Sequence, residues 1–304
     1  MASKQYIWFD GKFVDFGKAN VHVLTHSLQY GSGIFEGIRA YRTARGAAVF
    51  RLEDHVNRLF NSAKIYDMDL GVTQETVSNA IVSTIRKNGL GECYVRPFSF
   101  YNDARIGVNP IGRKISTIIA AIPFGNYFQN KDRGISCKIS SWQRINSMVL
   151  PPQAKASGNY LNSVLASLEA RRAGADEAIM LSGNGYVAEG SGENIFLVND
   201  NKIITPSAES DILLGITRGT IIELARSLGM EVEERNVHRE ELFTSSEVFF
   251  TGTAAEITPI TRIDSKRIGR GHIGPIAKML SDNYSLIVKG ENKEFEGWLT
   301  YVGK

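Results

Sequence analysis

A polar stretch that contains glycine, residues 124–134, separates two parts of this chain, and each part carries short apolar runs suited to strands and helices. With 304 residues the chain is too long for a single compact core, so such a break marks a domain boundary. The sequence therefore predicts an N-terminal α/β domain over 1–123, an interdomain loop over 124–134 and a C-terminal domain over 135–304.

Within both parts, the spacing of apolar residues predicts an order of strands and helices. Asp10-Gly11 between two apolar runs predicts a β-hairpin near the start of the chain. Further strands are predicted over 37–41, 47–52, 93–101, 115–123, 135–142, 177–181, 194–198, 203–204 and 248–251. Helices are predicted around 56–63, from Thr73 to Gly89, and over 161–173, 217–228 and 276–288.

Charge and hydropathy exclude two classes of partner. The formal net charge is only +3, and lysines and arginines are mixed with acidic residues, so no basic surface for nucleic acid is expected. No apolar run reaches the roughly 18 residues that a membrane span needs, and the first ten residues lack an apolar signal core. Cys93 and Cys137 have neither metal-ligand nor disulfide-framework spacing. We therefore expect a cytoplasmic protein with no nucleic-acid or membrane partner.

Lys155 lies in the segment Gln153–Tyr160, among small residues and without an acidic neighbour. A lysine that loses solvent in such a place has a lowered pKa, which a Schiff-base role requires. Because the same pattern also suits a solvated surface lysine, a catalytic role depends on the residues that accompany Lys155.

A carboxylate in a glycine-rich segment is the first such companion. Glu189 is followed by Gly190 and Gly192 and precedes an apolar strand that starts at Asn194. The glycines allow a ligand to approach the backbone closely, and a pyridine-containing cofactor needs a carboxylate that keeps its ring nitrogen protonated. A solvated loop with turn glycines is the alternative interpretation.

Two further segments suit a phosphate group. Gly215-Ile216-Thr217 opens a helix, and the unpaired N–H groups at a helix N-terminus attract anions. Gly252-Thr253-Ala254-Ala255 is a turn of small residues after a strand, suited to a phosphate or a carboxylate. The alternatives are that Thr217 is an ordinary N-cap and that the second segment is an ordinary tight turn.

Aromatic residues and an arginine indicate where a substrate binds. The segment Tyr30–Gly37 combines aromatic side chains with glycines, which suits an apolar pocket as well as core packing. Tyr94 and Arg96 share one face of a strand because side chains alternate, and a substrate carboxylate is one partner for such an arginine. No pair of the five histidines has metal-ligand spacing, so no metal site is predicted.

Several blocks of residues, in one order along the chain, together carry a resemblance that no single motif carries. They are Tyr30-Gly31…Phe35-Glu36-Gly37-Ile38-Arg39, His55…Arg58-Leu59, Tyr94-Val95-Arg96-Pro97, Lys155…Gly158-Asn159-Tyr160, Glu189-Gly190…Glu193-Asn194-Ile195-Phe196, Gly215–Arg218 and Gly252–Glu256. These blocks resemble the fold-type IV (class IV) pyridoxal-phosphate aminotransferases and, within them, the branched-chain aminotransferases. The resemblance extends from Trp8 to about Pro259.

The resemblance implies a two-domain fold, with an N-terminal α/β domain, a C-terminal pseudo-β-barrel domain that carries the Schiff-base lysine, and pyridoxal 5′-phosphate between them. It implies transamination between branched-chain L-amino acids (Leu, Ile, Val) and 2-oxoglutarate, which gives branched-chain 2-oxo acids and L-glutamate. Because subunits of the family share active sites, it also implies a homo-oligomer, at least a dimer, with tetramers and hexamers as the larger forms.

The resemblance also implies a role for each site residue. Lys155 is the catalytic residue, Glu189 pairs with the ring nitrogen, and Arg96 accepts the distal carboxylate of glutamate. Cofactor-binding roles are implied for Arg58, Lys155, Tyr160, Glu189, Glu193, Asn194, Leu213, Gly215, Ile216, Thr217, Gly252 and Thr253. Substrate-binding roles are implied for Tyr30, Phe35, Gly37, Tyr94, Arg96, Tyr127, Val108, Thr253, Ala254 and Ala255, with Tyr30 and Val108 contributed by a neighbouring subunit.

Other activities share this fold. D-amino-acid aminotransferases, (R)-amine transaminases and aminodeoxychorismate lyase are the alternatives, and Tyr94–Arg96 together with the turn after Thr251 favours the branched-chain class. The segment Arg144–Pro152 is less typical of the family, so the preferred side chain is less defined than the reaction type. A non-catalytic protein that binds a phosphorylated ligand is an alternative of a different class, but it requires neither Lys155 nor Glu189.

Overall fold

The structure is a computed structural model that describes residues 5–125, 127–128 and 133–303. Its described residues fall into two compact units. Unit 1 comprises the chain up to Gly125, the segment Ala154–Gly158 and the chain from Leu286 onward, and unit 2 comprises the remaining stretches up to Gln153 and Asn159–Ser285. The predicted division placed all of 135–304 in one domain, whereas the lysine segment and the C-terminal segment belong with unit 1. Residues 126 and 129–132 of the predicted interdomain loop lie outside the described residues.

The described residues form seven α-helices and seventeen strands, numbered along the chain. The helices are α1 (His26–Tyr30), α2 (Leu52–Ile65), α3 (Gln74–Lys87), α4 (Tyr160–Arg172), α5 (Ile216–Ser227), α6 (Glu241–Thr244) and α7 (Pro275–Val288). The strands are β1 (Tyr6–Phe9), β2 (Lys12–Asp15), β3 (Gly33–Phe35), β4 (Ile38–Thr43), β5 (Gly46–Phe50), β6 (Cys93–Tyr101), β7 (Ile115–Ile122), β8 (Ile135–Ile139), β9 (Glu177–Leu181), β10 (Val187–Gly190), β11 (Asn194–Asn199), β12 (Lys202–Pro206), β13 (Val232–Arg235), β14 (Glu247–Gly252), β15 (Glu256–Ile263), β16 (Lys266–Arg267) and β17 (Leu299–Tyr301).

Unit 1 is built on an eight-stranded antiparallel sheet. Its strand order is β17-β5-β4-β6-β7-β1-β2, and β3 pairs with the second half of β6. The predicted hairpin is confirmed, because Asp10 (φ 45°) and Gly11 (φ 87°) form the turn between β1 and β2. Helices α2 and α3 pack together, and their apolar faces join the core formed by the sheet.

Local residues explain where α2 begins and where α3 begins and ends. The strand predicted over 47–52 ends earlier, at Phe50, because Arg51 takes a left-handed conformation (φ 52°) and Leu52 already starts α2. Thr73 caps α3 by accepting the N–H of Thr76 at 3.1 Å, and Gly89 (φ 63°) follows its end. The helix predicted from Thr73 to Gly89 is therefore confirmed.

Unit 2 is a nine-stranded sheet that closes on itself. Its strand order is β10-β9-β8-β15-β14-β11-β12-β13, and β10 also pairs with β11. Strands β10, β9, β8, β15, β14 and β11 thus form a closed ring, with parallel pairs only at β8–β9 and β8–β15 among the described strands of the ring. This ring confirms the predicted barrel-like second domain.

Both faces of the barrel wall are buried. Ile195 and Leu197 of β11 belong to the core inside the ring, while Phe196 stacks on Phe249 of β14 with ring centres 5.2 Å apart on the opposite face. A strand covered on both faces reads as a continuous apolar run rather than an alternating one. Helix α5 packs against β14, a strand of this wall whose two faces are both covered.

A remote carboxylate caps helix α7. Glu247, the first residue of β14, accepts the N–H groups of Ile276 at 2.9 Å and Ala277 at 2.8 Å. A side chain at Gly274 would place its Cβ 2.0 Å from the Glu247 carboxyl carbon, so this approach requires glycine. Such a cap was not predicted, because Glu247 and Ile276 are 29 residues apart in sequence and no local pattern links them.

Replacing Glu247 with glutamine is expected to lower the free energy of unfolding by about 1–2 kcal/mol, because the amide brings no negative charge to the start of α7. Chemical denaturation measures the change. Glu209→Gln, at an exposed position, is the matched control and should leave the midpoint unchanged. Equal midpoints for the two variants would show that the cap does not stabilise the fold.

Candidate active site

The backbone of Lys155 is fixed within unit 1 from two sides. Its N–H donates to Ser62 Oγ at 3.0 Å, and its carbonyl accepts the N–H of Phe35 at 3.0 Å. The next residue, Ala156, forms an antiparallel bridge with Ile34. The Lys155 side chain is half-buried, and Nζ lies over the Phe35 ring, 5.2 Å from its centre. Lys155 is thus held by its main chain while its amine lies over an aromatic face.

Two glycines allow the lysine segment to lie against the end of α1. Gly158 donates its N–H to the carbonyl of Gly31 at 3.0 Å. Gly31 has a left-handed φ of 65°, and a Cβ at this residue would lie 3.0 Å from Gly158 Cα. The motif glycine at position 31 therefore serves a close backbone contact with the segment that carries Lys155.

Glu36 binds His55 and Arg58 in the interior of unit 1. Its carboxylate accepts Arg58 Nε at 2.6 Å and Nη2 at 2.9 Å, and it lies 2.7 Å from His55 Nδ1. Burial alone would raise the pKa of Glu36, but the charge of Arg58 and the contacts with His55 outweigh burial and hold this pKa well below its usual range. Burial also lowers the pKa of His55, more than Glu36 raises it. Arg58, predicted to bind a phosphate, is therefore held by a charged carboxylate.

Residues predicted to bind substrate meet in the same sheet, where β3 and β4 pair with β6. Arg96 Nη2 donates to the Tyr94 hydroxyl at 3.1 Å, and the Arg96 guanidinium lies 4.6 Å from the centre of the Phe35 ring. The predicted common face of Tyr94 and Arg96 is thus present. A Cβ at Gly37 would lie 2.0 Å from the Tyr94 hydroxyl oxygen, so only glycine allows Tyr94 to take this position.

Three other predicted substrate residues are exposed. Tyr30 is 38% exposed, and its hydroxyl accepts the N–H of Gly107 at 3.3 Å. Val108 is 74% exposed, and its carbonyl lies 3.1 Å from His26 Nε2. Tyr127 is 48% exposed and lies beside residues outside the described ranges. Tyr30, the last residue of α1, therefore contacts the loop that carries Val108 in unit 1.

Glu189 lies where the barrel of unit 2 closes, opposite Asn194 in the β10–β11 pair. It is 6% exposed, which excludes the solvated loop that the sequence left open. One carboxylate oxygen accepts Asn194 Nδ2 at 3.0 Å and the N–H of Leu213 at 3.2 Å, and Arg144 Nε lies 2.6 Å from the other. A positive charge and two donors thus stabilise a buried carboxylate that is suited to a protonated ring nitrogen.

The start of α5 adjoins this carboxylate through Asn194. The Asn194 amide donates to the carbonyl of Leu213 at 2.8 Å, and a Cβ at Gly215 would lie 2.0 Å from Asn194 Oδ1. Gly215 is the N-cap of α5, so Thr217 is not the cap that the sequence offered as its alternative. A glycine N-cap supplies no side-chain acceptor, and the first N–H groups of the helix, from Ile216 onward, suit an anion.

The second predicted phosphate segment is the turn between β14 and β15. Gly252 pairs with Glu256, and residues 253–255 connect the strands. Glu193 is buried near this turn: its Cγ would lie 3.5 Å from a Cβ at Gly252, and its carboxylate accepts the N–H of Gly192 at 3.1 Å. Tyr160, the remaining predicted cofactor residue, is the half-buried first residue of α4.

Arg144 and Glu36 are the neighbours of the predicted site that sequence reasoning missed. Arg144 pairs with a residue 45 positions away, and no local pattern indicates that contact. Glu36 did carry a signal, because a lone acid among Ile34, Phe35 and Ile38 needs a buried partner. Arg58 of helix α2 is the partner of Glu36.

The described residues offer few alternative chemical groups. In this part of the chain, no group of three or more His, Cys, Asp or Glu side chains is placed to hold a metal ion. Burial raises the pKa of Cys93 to about 12, and it raises the pKa of Cys137 well above its usual value, so both buried thiols stay protonated at neutral pH. Each helix in the described ranges is too short or too polar to cross a lipid bilayer.

Known proteins resemble this chain over almost all of its length. The model of the amino-transferase class IV family matches residues 33–263, a range that includes every predicted site residue except Tyr30. The branched-chain-amino-acid aminotransferase of Escherichia coli strain K12 is 44% identical over 302 residues, which cover 98% of this chain and 98% of that protein.

Solved structures of the same class superpose closely. A branched-chain amino acid aminotransferase from T.th., solved with pyridoxamine 5′-phosphate, has a TM-score of 0.96 and 45% identity, and the match covers all of both chains. The same protein complexed with N-(5′-phosphopyridoxyl)-L-glutamate has a TM-score of 0.95 and 45% identity over the same extent. The chain therefore belongs to the class IV aminotransferase family, among relatives that are branched-chain-amino-acid aminotransferases.

Proposed function

We propose that the protein is an enzyme that transfers an amino group between branched-chain L-amino acids (Leu, Ile, Val) and 2-oxoglutarate, with pyridoxal 5′-phosphate as cofactor. Relatives named branched-chain-amino-acid aminotransferases cover nearly the whole chain, and two similar structures contain pyridoxamine phosphate and phosphopyridoxyl-glutamate. One observation carries the proposal: buried Glu189 has a positive partner and adjoins the open N-terminus of α5. The buried carboxylate suits the ring nitrogen of a pyridine cofactor, and the helix N-terminus suits the phosphate of the same cofactor.

The residues of this chain fit that cofactor by their chemistry. When bound, pyridoxal phosphate supplies an electron sink for the substrate α-carbon. Lys155 would hold the cofactor through its amine, and its Nζ would be the group that accepts and returns the proton of the substrate α-carbon. Glu189 keeps the ring nitrogen protonated, with Asn194 holding that carboxylate in place, and Tyr160 donates to the phenolic oxygen of the ring.

We assign the phosphate to residues that offer hydrogen-bond donors. Arg58 supplies charge, and the first N–H groups of α5, at Ile216 and Thr217, supply oriented donors. We also assign backbone contacts with the cofactor to Gly215 and Gly252. The remaining cofactor contacts are assigned to Leu213 against the ring, Thr253 at the phosphate, and Glu193.

Different residues are assigned to the α-carboxylate and to the side chain of the substrate. Tyr94 and the turn Thr253–Ala255 bind the α-carboxylate. An apolar wall formed by Phe35, Gly37 and Tyr127, with Tyr30 and Val108 from a neighbouring subunit, receives a branched side chain. Arg96 lies against the Phe35 ring, so one pocket accommodates either an aliphatic side chain or the distal carboxylate of glutamate.

We further propose that the protein works in the cytoplasm as a homo-oligomer, at least a dimer. The loop between β6 and β7 supports this proposal, because it exposes Ile106 by 74%, Val108 by 74% and Ile111 by 83%. Apolar side chains that cluster on a surface indicate contact with another protein. Tyr30 lies against the same loop, in accord with the role expected for Tyr30 and Val108 at a neighbouring active site.

The other activities of the fold are not favoured, since relatives that match nearly the whole chain are named branched-chain-amino-acid aminotransferases. The visible absorbance spectrum tests the assignment directly. We expect the band of the lysine-bound cofactor to disappear on addition of L-leucine and to persist with D-alanine or 1-phenylethylamine. A band that responds only to D-alanine would move the protein to the D-amino-acid class.

Lys155→Ala is expected to abolish this band and to reduce turnover of L-leucine by on the order of a thousandfold or more, because no other residue replaces its amine in attachment and proton transfer. Spectra and steady-state rates measure both effects. Lys278→Ala, at an exposed lysine of α7, is the matched control. Full turnover by Lys155→Ala would disprove the catalytic assignment.

Glu189→Gln is expected to lower kcat by about 100-fold, because an amide does not hold the ring nitrogen protonated and so weakens the electron sink. The half-reaction with L-leucine, followed by stopped-flow absorbance, isolates this step. Glu209→Gln provides the exposed control. An unchanged half-reaction rate would separate Glu189 from the ring nitrogen.

Arg96→Met is expected to raise KM for L-glutamate by about 10- to 100-fold and to change KM for L-leucine by much less, because only glutamate carries a distal carboxylate. Steady-state kinetics with both substrates give the two ratios. If both KM values rise by the same factor, Arg96 supports the pocket as a whole and does not select the acidic side chain.

A further inference from the structure

Glu36 is a fully buried carboxylate between Phe35 and Gly37, two residues of the proposed substrate pocket. Its two oxygens accept Arg58 Nε at 2.6 Å and Arg58 Nη2 at 2.9 Å, so the pair is a two-point fork. Oε2 also lies 2.7 Å from His55 Nδ1 and accepts the N–H of Gly37 at 3.2 Å. One carboxylate therefore joins helix α2 to the strand that leads into the pocket.

The fork fixes the direction of the Arg58 guanidinium. The group is planar, so engaging Nε and Nη2 together prevents rotation about the last bonds of the side chain. A guanidinium fixed before a ligand arrives loses little conformational freedom when it binds one.

The main chain of Arg58 is tied to the segment of Lys155. Ser62, one turn further along α2, donates its hydroxyl to the carbonyl of Arg58 at 2.9 Å and accepts the N–H of Lys155 at 3.0 Å. His55, Arg58 and Ser62 therefore use one face of α2 to reach both Glu36 and the lysine.

We propose that Glu36 is a positioning residue that orients Arg58 toward the cofactor phosphate. His55 keeps Glu36 in place by donating its Nδ1 proton, since a carboxylate can only accept. This inference rests on the phosphate role that the proposed function gives to Arg58. Glu36 itself acts through Arg58 and takes no part in the reaction.

A purely stabilising role accounts poorly for such a group. Burying an ion pair gains little net stability over apolar residues of the same size, because both charges lose their hydration. The arrangement does supply one fixed orientation of a cation, which an apolar pair does not. The two roles differ in what they change: stability affects every ligand, whereas orientation affects only a ligand that has a phosphate.

The test compares two ligands that differ by that group alone. The full-length protein is freed of cofactor, and Kd is measured spectroscopically for pyridoxal 5′-phosphate and for pyridoxal. We expect Glu36→Gln to weaken the phosphorylated ligand by about 10- to 100-fold and pyridoxal by less than about threefold. Glu53→Gln, the same change at an exposed position of α2, should leave both values unchanged. Equal losses for both ligands, or no loss for either, would overturn the proposal.

A second pair of variants covers the case in which Glu36→Gln folds poorly. The double variant Glu36→Gln with Arg58→Met removes both buried charges together, which avoids leaving one of them alone. If Glu36 acts through Arg58, the double variant binds pyridoxal phosphate as weakly as Arg58→Met does and no weaker. A further loss of more than about threefold in the double variant would show an independent role and contradict the inference.

The same variants separate this inference from the proposed function. If Arg58→Met weakens the phosphorylated ligand selectively and Glu36→Gln does not, only the positioning role fails. If Arg58→Met has no selective effect, the phosphate role of Arg58 fails and the positioning role fails with it. The amino-transfer assignment itself depends on the spectral response to L-leucine and is unaffected by either result.

Discussion

The cost of burying a carboxylate shapes both units of this protein. Glu36 is fully buried and is bound by Arg58 in unit 1, and Glu189 is 6% exposed and lies 2.6 Å from Arg144 in unit 2. An unpaired charge in either interior would cost several kcal/mol, so each acid requires a cation that approaches from another element. Those cations bring α2 against the β3–β4 region and the segment after β8 against the barrel closure. The pairs Glu36–Arg58 and Glu189–Arg144 thus hold together strands and helices that carry proposed site residues.

Two glycines leave space that polar side chains of the proposed site occupy. Gly37 leaves the space that the Tyr94 hydroxyl occupies, and Gly215 leaves the space of Asn194 Oδ1, each at 2.0 Å from where a Cβ would lie. Neither glycine has a positive φ among the described residues, so their role is to permit close contact and not to form a special turn. In unit 1 this contact fixes a phenol beside Arg96, and in unit 2 it fixes an amide that supports Glu189. A small residue therefore determines the position of a polar one in both cases.

Local patterns predicted most elements with strong periodicity, and they missed what depends on distant partners. The hairpin at Asp10-Gly11, helices α2 to α5 and strands β6 and β9 follow from spacing, caps and turn residues near each element. Strands β13 and β17 were not predicted, because β13 pairs with β12 across an intervening helix and β17 pairs with β5 at the other end of the chain. The roles of the site residues came from the family resemblance, since glycine segments alone have several uses. The partners Arg144 and Glu247 had no local signal, whereas Glu36 had one in its apolar surroundings.

The pairing of β17 with β5 has a consequence for the order in which the two units can be completed. Unit 1 contains residues from the beginning, the middle and the last stretch of the chain, and Leu299 and Phe50 are directly opposite each other in its sheet. During synthesis, every residue of unit 2 has been made before this edge strand is available. Until then, β5 presents an unpaired edge of the kind that can join another chain. The unit whose sequence is made first thus cannot be completed until the last strand is available, and its edge at β5 stays open for that time.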